Sequence, residues 1–578
     1  MKLTEALRIL NGANKGARAF DVILACGFTP LHLQTFLVAY LQLGFPDRYV
    51  RVTPGLFGNL ANTLEGATEV GAQNILVVIE WADIDARLGH RAAATWDSNT
   101  LSDVLSAANL AFERLQHVVD RVRRGTKVVI CPPTLPLPPL FHTAGWEAGP
   151  SELALLKLLA EFNAAVAASG ARVVNVSRLA EESPPGQRHD LKSDLNVGLP
   201  YSLAHADAVA LALSRVLCPP VPKKGLITDL DETLWSGTVG EVGPDGVHWD
   251  LDRHSHIHAL YQSLLTSLSD SGALVAVASK NDPDIVHKAF EREDLLVRRE
   301  IIFPMEVHWN AKSASVSRIL GTWNISADSV VFVDDSPLEL AEVAAAHPGI
   351  ECIQFLAKDH SSTLSSLRRI RDMFGKSSSS DEDSLRLESI RQNAQFQVAA
   401  TEACSEIFLR DLNATIQIEY DGGLGDTRAL ELVNKTNQFN LNGVRYSQSD
   451  WAAELSLPGA SLMTVSYEDK FGKLGKVSAI LGRLENDTFR LKVWAMSCRA
   501  FARRIEFLSM QKCFDRYSCP ISFDFELTSR NRPFQEFLGS LLGQTGEGPL
   551  LLTREQFDKV CPPLYQIVKE TRSVSING

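Results

Sequence analysis

The stretch that decides the fold of the middle of the chain is Gly225-Leu226-Ile227-Thr228-Asp229-Leu230-Asp231-Glu232-Thr233-Leu234-Trp235. A short apolar run ends at Asp229, and a second aspartate follows two residues later. Because side chains alternate between the faces of an extended segment, both carboxylates are expected on one side of the strand tip. Such a strand end is typical of phosphoryl-transfer sites in open α/β sheets. The pattern predicts a nucleophilic carboxylate beside a proton-transferring one, with a divalent cation relieving their repulsion.

Three further elements follow in an order that suits the same chemistry. An apolar strand ends at Ser279, whose hydroxyl can hydrogen-bond a phosphate oxygen. Lys312 is a candidate positive charge for the negative charge that develops at phosphorus. A third apolar strand ends at Asp334 and Asp335, which suit oxygen-ligated Mg2+. Taken singly, these residues also suit a helix N-cap, a solvated lysine and an ordinary turn. Their joint occurrence at successive strand ends favours the phosphoryl-transfer interpretation.

These residues together resemble the four motifs of the haloacid dehalogenase (HAD) superfamily. The resemblance implies that Asp229 is the nucleophile, forming an aspartyl-phosphate, and that Asp231 is the general acid/base. It implies substrate binding by Thr233, Ser279, Asn281 and Lys312, and a Mg2+ site made by Asp229, Asp231, Asp334 and Asp335. The short gaps between the motifs leave no room for a substantial cap domain. An open site of this kind favours large substrates, such as a protein or a carrier-bound group.

The composition bounds the class of protein. The 578 residues are enough for about three or four domains. The nine cysteines include no Cys-x-x-Cys spacing, which argues against a zinc site or a disulfide framework. The net charge of -12 argues against non-specific nucleic-acid binding. The amino terminus lacks the apolar core of a signal peptide, and no apolar run is long enough to span a membrane. These two features predict a cytoplasmic location without membrane contact.

Two polar or proline-rich connections divide the sequence. Cys218-Pro219-Pro220-Val221-Pro222 leads into the catalytic strand, and a serine-rich acidic run begins at Lys376. The predicted organisation is an SGNH-like domain over 1–218, a capless HAD-like domain over 219–375, a linker over 376–385 and a GNAT-like domain over 386–578. The predicted fold class is therefore multidomain α/β, with two doubly wound parallel sheets followed by an α+β domain.

The first segment reads as alternating strands and helices. Apolar strands are predicted at Phe20–Cys26, Asn74–Ile79, Lys127–Cys131 and Ala171–Val176. Gly27-Phe28-Thr29 stands where an SGNH-type hydrolase carries its nucleophile, but the expected Gly-Asp-Ser is absent. His205 is interpreted as a structural histidine at a helix start rather than a catalytic one. This segment is expected to serve docking or substrate capture.

The third segment carries a second set of candidate residues. The amides Asn437 and Gln438 lie beside a phenylalanine, and a strand over 491–499 runs into a helix that begins within 500–506. A strand, a tight loop and a helix form the geometry by which an acetyltransferase (GNAT) fold presents backbone N–H groups to a pantetheine-linked phosphate.

The composite resembles the FkbH-like family of HAD-type enzymes. That resemblance implies the removal of a three-carbon unit from 1,3-bisphosphoglycerate, its dephosphorylation, and its delivery as a glyceryl thioester to the phosphopantetheine arm of an acyl carrier protein. Such units feed polyketide or related natural-product assembly. The sequence departs from the family's loop pattern, because Ala502 and Arg504 occupy its two glycine positions. Arg499, Arg503 and Arg504 are alternative ligands for a single phosphate. The departure is equally consistent with a different acceptor of the acyl group or with a domain that has lost acyl-transfer activity.

Cys498 is the candidate thiol of the third segment. Its place at a helix start beside Arg499 favours a thiolate that carries the glyceryl group, although a buried packing role is equally open. Cys26 is a weaker alternative. Two functions follow: a bifunctional glyceryltransferase and phosphatase, or a Mg2+-dependent HAD phosphatase of a phosphorylated small molecule, with the flanking domains as binding modules.

Overall fold

The structure is a computed structural model that describes residues 1–69, 72–92, 100–123, 126–376, 390, 405–420, 426–436, 438–470, 472–497, 500–501, 503–528, 531–543 and 550–572. The chain forms two compact units, Met1–Val221 and Pro222–Gly578. The division falls inside the proline-rich connection. Most of the predicted linker, from Ser377 onward, lies outside the described residues.

The first unit is built on one parallel sheet with the strand order β2-β1-β3-β4-β5. Its strands are β1 (Ala19–Ala25), β2 (Tyr49–Pro54), β3 (Asn74–Val78), β4 (Lys127–Cys131) and β5 (Arg172–Val173). Its helices are α1 (Leu3–Gly12), α2 (Leu31–Gly44), α3 (Leu60–Glu69), α4 (Trp81–Ile84), α5 (Leu101–Val122), α6 (Pro150–Ala168), α7 (Val176–Glu182), α8 (Leu191–Val197) and α9 (Leu203–Leu217). The edge strand β2 is an addition to the four strands that were predicted.

Alternating side chains of β3 show why this sheet is covered on both faces. Leu76 and Val78 pack into one apolar core, whereas Ile75 and Val77 pack into the core on the opposite face. All five residues of the strand are buried, which is the pattern of a central strand in a parallel sheet. Helices therefore cover both faces of the sheet.

The second unit opens with another parallel sheet, of order β10-β9-β6-β7-β8. Its strands are β6 (Gly225–Thr228), β7 (Leu274–Ser279), β8 (Ile302–Val307), β9 (Val330–Asp334) and β10 (Glu351–Gln354). Its helices are α10 (Val239–Val242), α11 (His256–Asp270), α12 (Pro283–Phe290), α13 (Lys312–Trp323), α14 (Pro337–Ala346) and α15 (His360–Met373). Leu226 and Ile227 of β6 again point into cores on opposite faces.

A mixed sheet completes the second unit, with the order β17-β16-β15-β14-β13-β11-β18 and β12 paired to β15. Its strands are β11 (Thr415–Tyr420), β12 (Phe439–Asn440), β13 (Ala460–Asp469), β14 (Gly472–Glu485), β15 (Thr488–Met496), β16 (Ile521–Phe523), β17 (Leu550–Leu552) and β18 (Ile567–Arg572). Its helices are α16 (Ser405–Asp411), α17 (Thr427–Lys435), α18 (Gln448–Leu455), α19 (Ile505–Tyr517), α20 (Arg532–Leu542) and α21 (Arg554–Val560). The predicted multidomain α/β class, with parallel sheets and an additional α+β part, is confirmed.

None of the described helices is both long enough and apolar enough to cross a lipid bilayer.

Candidate active site

The central strand β6 places the first aspartate at the carboxyl edge of the second parallel sheet. Thr228, its last residue, is in register with Val277 of β7 on one side and Val333 of β9 on the other. The backbone N–H of Asp229 donates to the carbonyl of Val333 at 3.0 Å, which continues the pairing by one residue. Because neighbouring parallel strands end together, Asp229, Ser279 and Asp334 meet at one edge of the sheet.

A carboxylate cluster around one lysine forms the centre of this edge. Ligand oxygens of Asp229, Asp334 and Asp335 all lie within 4.8 Å of one another. Lys312, the first residue of α13, places Nζ 3.0 Å from Oδ1 of Asp229 and 2.7 Å from Oδ2 of Asp334. Asp229, Asp334 and Lys312 are buried. Three ionised carboxylates and one ammonium leave a net charge of -2, which is costly to hold away from water.

The pKa values of the cluster reflect that cost. Burial raises the pKa of Asp229 to about 6, against the attraction of Lys312 and with the repulsion of Asp334 adding to the rise. Burial also raises the pKa values of Asp334 and Asp335. For Lys312, burial lowers the pKa, but the attraction of Asp229 and Asp334 outweighs it and the net direction is upward. The cluster therefore favours either protons or a further cation.

The donor set of the cluster fits Mg2+. Carboxylate oxygens are the hard ligands that this ion takes, and a divalent cation would balance the net charge of the cluster. Oδ1 of Asp229 is buried and has no partner in hydrogen-bond geometry, although Lys312 Nζ lies close to it. Asp229, Asp334 and Asp335 are thus the residues that would hold the ion.

Asp231 was predicted to be a fourth metal ligand, but its carboxylate is not part of the cluster of Asp229, Asp334 and Asp335. Its Oδ1 accepts hydrogen bonds from Trp235 Nε1 at 2.8 Å and from the Val239 N–H at 3.0 Å. Its Oδ2 accepts one from Asn281 Nδ2 at 3.0 Å. The side chain is outside the carboxylate cluster, because the turn after β6 aims it at these three donors. Its predicted role in proton transfer stays a prediction.

Two of the predicted phosphate-binding residues, Ser279 and Asn281, are joined by a hydrogen bond. Asn281 Nδ2 donates to Ser279 Oγ at 3.1 Å as well as to Asp231, so one amide links two motifs. Ser279 and Asn281 are both buried. Thr233 is fully buried, and its hydroxyl has no hydrogen-bond partner in the described part of the chain. Binding of phosphate by these three residues remains a prediction.

Two positioning groups were not anticipated from the sequence. The indole of Trp235 belongs to the quoted motif, but its hydrogen bond to Asp231 depends on a turn that the residue pattern does not reveal. The Ser336 N–H donates to Oδ1 of Asp334 at 2.9 Å, just before α14 begins. A serine and a proline at a helix start are a recognisable capping signal, so this second donor could have been predicted.

The gaps between the motifs contain only short elements of the same domain. Between Thr233 and Ser279 the structure has α10, α11 and β7, and between Ser279 and Lys312 it has α12 and β8. Residues 234–311 are all described, and no separate cap domain is inserted there. This agrees with the spacing argument.

Only some of the candidate residues of the third segment belong to the part of the chain that the structure describes. Asn437, Cys498 and Arg499 lie outside the described residues. Gln438 is partly buried, and its Oε1 has no hydrogen-bond partner in the described structure. The predicted succession of strand, loop and helix is present as β15 and α19. The roles of these residues in binding or transfer therefore stay predictions.

The two described arginines of this loop are bound to protein groups. The Arg503 side chain is fully buried, and its Nε lies 3.2 Å from Oδ2 of Asp469. Arg504 donates to the Pro563 carbonyl at 2.8 Å and pairs with Glu406 at 3.0 Å. Arg504 also has a φ of 57°, a left-handed conformation that favours the glycine expected there. Phosphate binding by Arg503 stays a prediction.

The candidate residues of the first unit have structural partners. His205 is fully buried, with Nε2 2.8 Å from Thr134 Oγ1 and Nδ1 2.9 Å from Ser183 Oγ. Burial lowers its pKa to about 3, so it stays neutral. Thr29 Oγ1 donates to the Val197 carbonyl at 3.0 Å. This arrangement agrees with the interpretation of His205 as structural.

No protein-family model matches the sequence, and no curated protein matches it by sequence. Among solved structures, the N-terminal part of the protein BF1531 from Bacteroides fragilis, containing a phosphatase domain complexed with Mg, has a TM-score of 0.52 and 18% identity. That match covers 65% of this chain and 100% of the other. It shows a shared fold.

Two esterase-type structures match a smaller share of the chain. Axe2, an acetylxylan esterase from Geobacillus stearothermophilus, has 13% identity over 36% of this chain and 98% of its own, with a TM-score of 0.24. Phospholipase A1 from Streptomyces albidoflavus NA297 has 12% identity over 35% of this chain and 100% of its own, with a TM-score of 0.26. These scores are too low to support a conclusion about the chain.

The raised pKa of Asp229 predicts that protons and Mg2+ compete for the cluster. With a pKa of about 6, the carboxyl is mostly protonated at pH 5 and mostly ionised at pH 7. We expect Mg2+ affinity, measured by titration calorimetry, to be about tenfold weaker at pH 5 than at pH 7, because a ligand must lose its proton to bind. Equal affinities at both pH values would contradict a site that includes Asp229.

Proposed function

We propose that the chain is a Mg2+-dependent phosphatase with Asp229 as its nucleophile. The observation that carries this proposal is the cluster of Asp229, Asp334 and Asp335 at the carboxyl edge of a parallel sheet, in which the buried Asp229 and Asp334 contact Lys312. A buried carboxylate that is held beside a cation, with one oxygen outside hydrogen-bond geometry, suits attack on an electrophilic phosphorus. The shared fold with a protein that contains a phosphatase domain supports the same reaction class.

The proposed reaction has two steps on the side chains of this site. A carboxylate oxygen of Asp229 forms a bond to phosphorus while the bond to the leaving oxygen breaks, and Asp231 gives that oxygen a proton. A water oxygen then attacks the phosphorus of the aspartyl-phosphate and gives one proton to Asp231, while the bond between phosphorus and the Asp229 oxygen breaks. Inorganic phosphate leaves, and the Asp229 carboxylate is restored.

Each neighbour of the nucleophile has a defined task in this scheme. Lys312 stabilises the charge that develops on the phosphoryl oxygens. Trp235, Val239 and Asn281 fix the orientation of the Asp231 carboxylate through their three hydrogen bonds. When bound by Asp229, Asp334 and Asp335, Mg2+ would neutralise the cluster and polarise the phosphoryl group.

The test uses the full chain, p-nitrophenyl phosphate and a defined metal supply. We expect phosphate release with Mg2+, loss of release after EDTA treatment, and recovery when Mg2+ is restored. Zn2+ and Ca2+ serve as controls, since the all-oxygen donor set and the compact cluster suit Mg2+ better. Turnover that is unchanged by EDTA would contradict the proposal.

The finer proposal is that the dephosphorylated group is a glyceryl unit destined for an acyl carrier protein. It rests on the resemblance to the FkbH-like family and on the strand, loop and helix formed by β15 and α19. In this scheme a thiolate attacks the acyl carbon of 1,3-bisphosphoglycerate, the bond from that carbon to the phosphate oxygen breaks, and inorganic phosphate leaves. The remaining phosphate ester is cleaved at Asp229. Cys498 is the proposed carrying thiol.

Intact-protein mass spectrometry separates the two proposals. The enzyme is incubated with Mg2+, 1,3-bisphosphoglycerate generated in situ and a phosphopantetheinylated carrier protein. A glyceryl-sized mass gain on the carrier, with an enzyme adduct that is lost in Cys498→Ala, is expected for transfer. Phosphate release without any acyl adduct would contradict transfer and leave the phosphatase proposal standing.

A further inference from the structure

The first unit contains a cavity of about 820 Å³ that no part of the proposed reaction uses. Its volume lies within the roughly 300–1,000 Å³ of small-molecule sites. Gly27 follows β1, and Glu80 and Asp83 follow β3, so the cavity opens at the carboxyl edge of the parallel sheet. Ligands of open α/β sheets bind at this edge.

The walls of the cavity are mainly apolar. Trp81, Ile84, Leu88 and Leu115 form a buried part of the lining. Phe57 and Leu110 also line it but are 58% and 65% exposed, so apolar surface continues to the mouth. An apolar surface of this kind, enclosed on one side and open on the other, suits the hydrocarbon part of a ligand.

Two exposed arginines provide the positive charge at the mouth. Arg91 lies over the Phe57 ring, with its guanidinium carbon 5.4 Å from the ring centre. Arg114 shares one face of α5 with Leu110 and Ala111. Neither arginine has an acidic partner among the described residues, so both guanidiniums are open to an anion.

The three acidic residues of the lining are engaged by protein groups. Glu80 accepts from Tyr201 at 2.5 Å and from Thr134 Oγ1 at 2.6 Å, and it also accepts backbone N–H groups. Asp194 pairs with His189 at 2.9 Å. Burial raises the pKa of Asp83 to about 7, and its carboxyl packs against Gly27, where a Cβ would lie 1.6 Å from Oδ1. The acidic side chains are thus held by protein groups, whereas the two arginines of the lining are exposed and available at the mouth.

The described lining residues include no serine, threonine, cysteine or tyrosine. A cavity without a hydroxyl or thiol nucleophile suits binding rather than ester hydrolysis. His205, the histidine singled out in the sequence, is buried between two hydroxyls outside the lining, whereas His90 belongs to the lining.

We propose that this cavity binds an amphiphilic anion, with an acyl or other apolar body inside and a carboxylate, sulfonate or phosphate head held by Arg91 and Arg114. The inference does not depend on the proposed phosphatase reaction, since it uses only residues of the first unit. A bidentate guanidinium contact to such a head is strong and specific.

The test measures binding of 8-anilinonaphthalene-1-sulfonate, an aromatic sulfonate, to the full chain by fluorescence and calorimetry. We expect one site per chain, displaced by octanoate and by 1-octanesulfonate. We expect 1-octanol to displace it at least tenfold more weakly, because the alcohol lacks the charged head. Octylammonium is expected to fail, because its charge repels the arginines.

Matched variants locate the site. Arg91→Ala is expected to weaken probe binding about tenfold, the effect of losing one charged hydrogen bond. Arg8→Ala, a change at another exposed arginine outside the lining, is expected to have no effect. Ala111→Trp should place a large side chain in the cavity and weaken binding at least about tenfold. Asp229→Asn should bind the probe as the parent chain does, which separates this site from the phosphatase site.

The opposite results would overturn the inference. Equal displacement by octanol and octanesulfonate would show a merely apolar cavity, and preference for octylammonium would show an acidic one. Binding that is unchanged in both Arg91→Ala and Ala111→Trp would place the probe elsewhere.

Discussion

Asp229→Asn is expected to lower phosphatase turnover at least about 10³-fold, the scale seen when a nucleophile is removed. The amide keeps the volume of the side chain but cannot attack phosphorus. Burial raises the pKa of Asp229 above its ordinary value, so keeping this group ionised at pH 7 costs the folded protein stability. The neutral amide should therefore leave the free energy of unfolding at pH 7 unchanged or slightly higher.

The measurement pairs turnover of p-nitrophenyl phosphate with urea unfolding of the same preparations. Asp252→Asn is the matched control, because Asp252 is an exposed aspartate of the same domain outside the carboxylate cluster. Turnover of Asp229→Asn within tenfold of the parent chain would exclude the aspartyl-phosphate step. A large loss in Asp252→Asn would show that the effect is not specific to the site.

Lys312→Met is expected to lower the free energy of unfolding by about 3 kcal/mol at pH 7 in EDTA, because it leaves buried carboxylates without their cation. The ammonium stands 3.0 Å from Asp229 and 2.7 Å from Asp334. Its removal changes the net charge of the ionised cluster from -2 to -3. Turnover should fall at least about 10²-fold as well, since the charge that faces the phosphoryl group is lost.

Urea unfolding with and without Mg2+ distinguishes this electrostatic effect from a simple loss of packing. Mg2+ should restore part of the stability of Lys312→Met, because it binds only the folded cluster. Adding Asp334→Asn to Lys312→Met should also restore stability, by removing one of the unpaired charges. Lys288→Met, at an exposed lysine of α12, is the control. A Lys312→Met chain as stable as Lys288→Met would refute the argument.

The sequence alone was enough to predict the local elements of the second parallel sheet. Apolar runs of four to six residues that end in polar side chains predicted β6, β7 and β9 and the edge at which Asp229, Ser279 and Asp334 meet. Those predictions succeeded because a buried parallel strand must be apolar on both faces, whatever its neighbours are. The edge strand β2 was missed, since only part of it is buried and its apolar pattern is weak.

The partners of side chains depended on the tertiary structure. Residue spacing cannot show that Trp235 and Asn281 hold Asp231 outside the carboxylate cluster, or that Arg503 is buried against Asp469. These contacts join residues up to 50 positions apart, and the packing of whole elements sets their distances. The sequence thus determined the central strands and the residues that end them. Only the fold decided which side chains face one another, because hydrogen bonds and ion pairs form between elements that the local pattern does not connect.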